Sequence, residues 1–255
     1  MRDLPNKQYD FSPLNHACCS EEFCALSLTL HQFAESLGTA IDIKDDLTSN
    51  HSFEVAEISL LIAQSLQLVP AYCDAIHIAG HLHDIGKIGI SDQVLKKAGP
   101  LTTAEWQEMR QHSAHGYAIL KPVKSLTQGY KIAEMVLAHH ERFEGNGYPQ
   151  GLQGNNIPLG ARIIAVADAL STMLGNRRYR QAEPWDSAVQ EISKCSGSHF
   201  DPEVTHAFFR VESEARQKVQ AVSDRNRKLP SASLPGSPLP PDSFYSSPAT
   251  MIPTA

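Results

Sequence analysis

Two pairs of adjacent residues, His83-Asp84 and His139-His140, constrain this chain more than any other feature of it. Neighbours on an ideal helix point ~100° apart, so either pair can serve one centre only where a helix is ending. Gly86 follows the first pair, and a loop with Gly145, Gly147, Pro149, Gly151, Gly154 and Pro158 follows the second. Imidazole and carboxylate groups are costly to bury together unless a cation takes them as ligands. The pattern therefore asks for helices whose ends converge on a metal, and for hydrolytic metal chemistry.

The rest of the chain reads as helix. Phe23, Leu26, Leu30, Phe33 and Leu37 give one apolar face across residues 22–37. Phe53, Ile58, Leu61, Ile62 and Leu66 mark a second helix, with Thr48 or Asn50 as N-cap and Pro70 beyond its end. Further helices are expected over 74–83, 103–109, 112–120, 128–139, 161–174, 184–194 and 202–211, with a loop at 140–159. Period-two alternation is scarce, so the fold class is all-α, a compact helical bundle. Residues 1–44 read as a lead-in and helix, 45–212 as the functional domain, and 223–255 as a disordered Pro/Ser-rich tail.

Composition excludes several function classes. Hydrophobic residues make up 42% and charged residues 20% of the 255, with a formal net charge of -6. No basic surface advertises a nucleic-acid polymer, so an anionic substrate must be attracted locally. The five cysteines (Cys18, Cys19, Cys24, Cys73, Cys195) lack zinc-ligand spacing and read as reduced thiols. Met1 to Asp10 carries no apolar signal core, and no apolar run approaches the ~18 residues of a membrane span. A cytoplasmic location without membrane insertion is expected.

Other metal ligands are in reach. His51 opens a helix, His112 lies near the start of another, and Asp168 follows the run Arg162-Ile163-Ile164-Ala165-Val166-Ala167. Each alone has a blander reading: a surface or capping histidine, or an aspartate paired with arginine. Their joint occurrence among twelve histidines favours a metal centre.

In the order His51, His83-Asp84, Lys87, His112, His139-His140, Asp168 the chain resembles the HD superfamily of phosphohydrolases. The strings at 83–90 (HDIGKIGI), 99–102 (GPLT), 139–142 (HHER), 145–149 (GNGYP) and 157–163 (IPLGARI), with Val166-Ala167-Asp168 and Phe200-Asp201-Pro202, resemble its HD-GYP branch over roughly residues 45 to 210. That resemblance implies a cyclic di-GMP phosphodiesterase with a helical bundle and a two- or three-metal centre. It implies one ion held by His51, His83, Asp84 and Asp168 and a second by Asp84, His112, His139 and His140, with Asp84 bridging. Asp84 and Lys87 are the expected catalytic pair, Lys87 directing its ammonium at the scissile phosphate. Lys97, Arg142, Tyr148, Arg177 and Arg180 are the expected substrate contacts.

Two divalent ions less two carboxylates and one bridging hydroxide leave a centre of about +1, suited to a phosphodiester anion. An N/O donor set without thiolate favours iron or manganese and does not choose between them. Leu47 stands where three-metal members carry glutamate, which implies two ions. Glu144 and Ser171 stand where the family pattern has aspartates, and both are expected to bear on the substrate side. The leading expectation is hydrolysis of cyclic di-GMP to pGpG and onward to GMP by the bridging hydroxide. The alternatives are an HD hydrolase of another nucleotide, or a catalytically weak nucleotide-binding module. Either leaves room for a regulatory protein partner, and the oligomeric state is open.

Overall fold

The computed structural model describes residues 21–45, 50–175 and 182–228. Its first helices are α1 (Glu21–Asp45), α2 (His51–Ser65) and α3 (Pro70–Leu82), followed by a 3-10 helix at Ile85–Gly89. Short helices α4 (Asp92–Leu95), α5 (Thr103–Met109), α6 (Gln111–Leu120), α7 (Lys124–Thr127) and α8 (Ile132–Ala138) come next. After the long loop run α9 (Leu159–Leu174), α10 (Trp185–Lys194), α11 (Pro202–Arg210) and α12 (Glu212–Lys228). No strand occurs among the described residues, only an isolated bridge between Ser196 and Phe200. The all-α expectation holds.

The core lies where α2, α3 and α9 meet. Ile58, Ile62, Ile76, Ile163, Ile164 and Leu170 are fully buried there, with Phe208 of α11 and Ile192 of α10 closing one end. Each such side chain contributes ~1.5–3 kcal/mol on leaving water. The α9 sequence is apolar nearly all round because other helices cover most of its faces.

Several boundaries differ from the sequence reading, each for a local reason. α1 does not stop at residue 37 but runs to Asp45. Gly38 lets it continue, because a Cβ there would lie 2.6 Å from the carbonyl oxygen of His81, so the glycine marks close helix packing. α3 starts at Pro70, not 74, with proline in the first turn where its missing N–H costs nothing. The expected helix over 128–139 is only Ile132–Ala138, because Gly129 and Lys131 both adopt positive φ (66° and 54°). α12 has no counterpart among the expected helices. It passes through Ser223, the expected start of the tail, and buries Ala215 and Val222 at helical spacing. The rest of that tail, 229–255, and the lead-in at 1–20 lie outside the described residues.

No helix among the described residues is long and apolar enough to cross a membrane. Two of the family-like strings have a structural part. Arg162 is buried and donates to Ile157 O (3.0 Å), Asn155 Oδ1 (3.1 Å) and the Asp201 carboxylate, while Asp201 caps α11 at Glu203 N (2.8 Å). This clamp ties the long loop and α9 to the start of α11.

Candidate metal centre

Helix ends bring the expected ligands together. His51 is the first residue of α2, His83 follows the last residue of α3, and Asp84 precedes the 3-10 helix. His112 lies in the first turn of α6, His139 follows α8, and Asp168 faces them from α9. Gly86 is what permits the approach of α6. A Cβ on it would lie 1.8 Å from His112 O and 2.4 Å from Gly116 N, so only glycine lets these two backbones touch.

The residues fall into two sets around Asp84. Ligand atoms of His51, His83 and Asp84 lie within 4.8 Å of one another, and so do those of His112, His139 and His140. Asp84 Oδ2 faces His83 Nε2 (3.2 Å) and His51 Nε2 (3.8 Å), whereas its Oδ1 faces His112 Nε2 (3.5 Å). One carboxylate thus turns an oxygen to each set. Asp168 Oδ1 is 3.3 Å from His51 Nε2 and 4.0 Å from His83 Nε2. Arg162 of the same helix is taken by Asp201, so it is not the partner of Asp168.

The far sides of the rings are already occupied. Nδ1 of His83, His112 and His139 meets the carbonyls of Gly80 (2.7 Å), Met109 (2.7 Å) and Val136 (2.6 Å). A carbonyl only accepts, so these Nδ1 atoms carry hydrogen and the Nε2 lone pairs are left for the centre. His51 Nδ1 meets Ser171 Oγ (3.0 Å), whose hydroxyl donates to Glu54 Oε2 (2.7 Å). Nε2 of His51 and of His83 are buried and make no hydrogen bond. Orphaned nitrogens with fixed tautomers, facing two carboxylates, are a donor set that fits divalent cations.

A family model for the HD domain matches residues 35–204. The chain belongs to the HD domain family. A cyclic di-GMP phosphodiesterase of Thermotoga maritima is 39% identical over 187 residues, spanning 72% of this chain and 50% of the relative. The 3'3'-cGAMP-specific phosphodiesterase 3 of Vibrio cholerae is 38% identical over 171 residues, spanning 66% of this chain and 36% of the relative. The crystal structure of a cyclic GMP-AMP specific phosphodiesterase of V. cholerae shares the fold with a TM-score of 0.60 at 21% identity, covering 79% of this chain and 54% of that one. This HD protein thus spans half or less of the length of these two relatives. The HD-GYP resemblance carried by its motifs holds.

The electrostatics of the HD centre follow from burial and charge together. Burial alone would push the Asp84 carboxyl up, but Lys87 and His83 outweigh it and hold Asp84 well below the usual carboxylate range. Asp168 is likewise held down, by His51 and His83 against its burial. Burial lowers His83, yet Asp84 and Asp168 raise it to about 9, the mark of a site that favours positive charge. Burial keeps His112, His139 and His140 below the ordinary histidine value, His139 at about 3.

The other expected residues are placed unequally. Lys87 does sit at the centre, its ammonium 2.8 Å from Asp84 Oδ2 and 2.6 Å from Asp45 Oδ2. Tyr148 lies over His140, with ring centroids 4.9 Å apart and the exposed Arg110 guanidinium 5.2 Å from its own centroid. Burial, then Asp168 and Asp84, raise its phenol, which stays protonated. Lys97 is held by Glu105 (2.6 Å), within the capping box of α5, and Arg142 by Glu144 (2.7 Å). Leu47, Arg177 and Arg180 lie outside the described residues.

Ser171 corrects the sequence reading, since it faces His51 from behind and not the substrate side. Asp45, Glu54 and Arg110 do not stand out in the sequence, and Glu141 does so only as part of the string at 139–142. Glu141 is buried and accepts from Gln150 N (2.7 Å) and Leu152 N (3.1 Å), holding the loop that carries Tyr148. Spacing gives a hint for Ser171 only: it lies one turn beyond Asp168, so both share a face.

Proposed function

We propose that this chain is a divalent-metal-dependent phosphodiesterase of cyclic dinucleotides, with cyclic di-GMP as substrate and linear pGpG as product. The observation that carries the reading is the division of Asp84 between two histidine sets, each oxygen facing one of them. His51, His83, Asp84 and Asp168 would hold one ion, and Asp84, His112, His139 and His140 the other, iron or manganese by their N/O donors. Two such ions, when bound, supply positive charge to the phosphodiester and lower the pKa of water.

The chain's own residues do the rest. Nδ1 contacts fix the imidazoles of His51, His83, His112 and His139 in the tautomer that presents Nε2. Lys87 adds a permanent cation beside Asp84. Tyr148, protonated and flanked by Arg110, is suited to stack on a base and to donate a hydrogen bond at the mouth. Water oxygen adds to phosphorus as the sugar 3'-oxygen leaves with a proton, which opens the ring. Residues 45–212 are taken as the catalytic domain.

A second substrate, 3'3'-cGAMP, is favoured by a near-equal likeness: 38% identity to the cGAMP-specific relative against 39% to the cyclic di-GMP one. The test is to load the purified chain with manganese or ferrous iron and follow both cyclic dinucleotides by chromatography. Formation of pGpG that is lost in Asp84→Asn supports the proposal. Turnover of 3'3'-cGAMP alone selects the second substrate, and binding without any product overturns both.

A further inference from the structure

A third histidine cluster lies outside the centre just described. His77 and His81 are four apart on α3 and share one face, and His31 comes to them from α1. His81 and His83 are two residues apart, ~200° around a helix, so the cluster and the Asp84 centre use different sides of the chain. One ring nitrogen from each of His31, His77 and His81 lies within 4.8 Å of the others.

Three details make this a ligand set and not a chance grouping. Nε2 of His77 faces Glu57 Oε1 at 3.2 Å, and Glu57 also accepts from Lys218 Nζ at 2.6 Å. The hydrogen bond from His77, ahead of Lys218 and against burial, holds Glu57 down at about 2, so it is an anion at neutral pH. It therefore keeps hydrogen on His77 Nε2 and leaves the Nδ1 lone pair facing inward, the carboxylate–histidine arrangement that orients metal ligands. His31 Nε2 donates a hydrogen bond to that Nδ1, and an ion would take the place of this proton between the two rings. His81 is buried, and its Nδ1 makes no hydrogen bond. A buried ring nitrogen without a partner is costly, and an ion bound to the His81 ring would offset that cost.

We propose that His31, His77 and His81 form a separate binding site for a divalent transition ion of the zinc class. A set of three imidazoles suits zinc, copper or nickel. The ion would staple α1 to α3. The consequence reaches the Asp84 centre, because the last turn of α1 places Asp45 on Lys87 (2.6 Å) and Lys44 on the carbonyls of Lys87 (2.9 Å) and Ile90 (3.0 Å).

The test counts zinc on the full chain, stripped with a chelator and dialysed against excess Zn2+. His31→Gln and His77→Gln should each bind one zinc per chain fewer than the parent, and the zinc-induced rise in thermal midpoint should shrink. His31 is half-buried, so its variant keeps the fold by circular dichroism, and its count decides if the His77 variant misfolds. Equal counts in parent and His31→Gln overturn the proposal. The difference is read with every ligand of the Asp84 centre kept, so it does not depend on what that centre hydrolyses.

Discussion

Ser171→Ala tests the support behind His51. In the parent, His51 Nδ1 donates to Ser171 Oγ at 3.0 Å, and Ser171 donates onward to Glu54 at 2.7 Å. Removing the hydroxyl frees the ring to rotate and to place hydrogen on Nε2, the atom that faces Asp84 and Asp168. Loss of such an outer partner lowers metal affinity or activity about 10–100-fold, or about 1.4–2.7 kcal/mol. The cost to folding should stay small, since burial already raises the Glu54 carboxyl and an unpaired Glu54 can take up a proton. Glu54→Gln keeps an acceptor for Ser171 and should lose under about 3-fold. Because Glu54 reaches the His51 ring by hydrogen bonding through Ser171, the double variant should come close to Ser171→Ala, a departure from additivity expected of residues in one network. Manganese affinity by competition with a fluorescent chelator, together with kcat on cyclic di-GMP, reads both effects. Affinity within 2-fold of the parent in Ser171→Ala, or losses that simply add, would refute the relay.

Two further outcomes are expected. Gly86→Ala forces a Cβ to within 1.8 Å of His112 O, so it should lower stability by about 3 kcal/mol or more in urea unfolding; an unchanged midpoint would contradict the packing of the 3-10 helix on α6. His199 is pushed down to about 4 by burial and then by Arg142, with Asp168 and Glu144 opposing. A folded value below the unfolded 6.5 favours the neutral ring, so its contribution is full above pH 6.5 and is lost as pH falls toward 4. The shift corresponds to about 3 kcal/mol, trimmed to roughly 1–2 by partial exposure. His199→Gln should flatten stability against pH in that window, and an unchanged slope would count against the assignment.

The fold is legible in the sequence where one helix face is apolar and continuous. α2 and α9 fall within two residues of their expected places because of their apolar residues, and α5 does so by its Thr102–Glu105 capping box, without a buried face. α12 is hidden because, among its described side chains, Ala215 and Val219 are the ones that join the core, too few to outweigh a polar sequence. α1 reads short because a glycine inside a helix and one ending it look alike in sequence. At Gly38 only a tertiary neighbour separates the two cases, the His81 carbonyl oxygen 2.6 Å from the position a Cβ would take.

The centre is legible for a different reason. Its residues are grouped by adjacency at helix ends, so His83-Asp84 and His139-His140 carry their geometry in the sequence itself. The outer partners are not grouped this way. Glu54 and Asp45 are acidic residues on helices, ordinarily a solvated face, and nothing local says that Ser171 or Lys87 will meet them 117 and 42 positions away. The third cluster lies between these cases. The spacing of His77 and His81 is visible on one helix, but a pair of histidines four apart is not yet a site. What turns the pair into one is a ring from α1 and a carboxylate from α2 that fixes which nitrogen is free. Ligand identity can be local in a chain, whereas ligand protonation is set by tertiary contacts, and metal chemistry needs both.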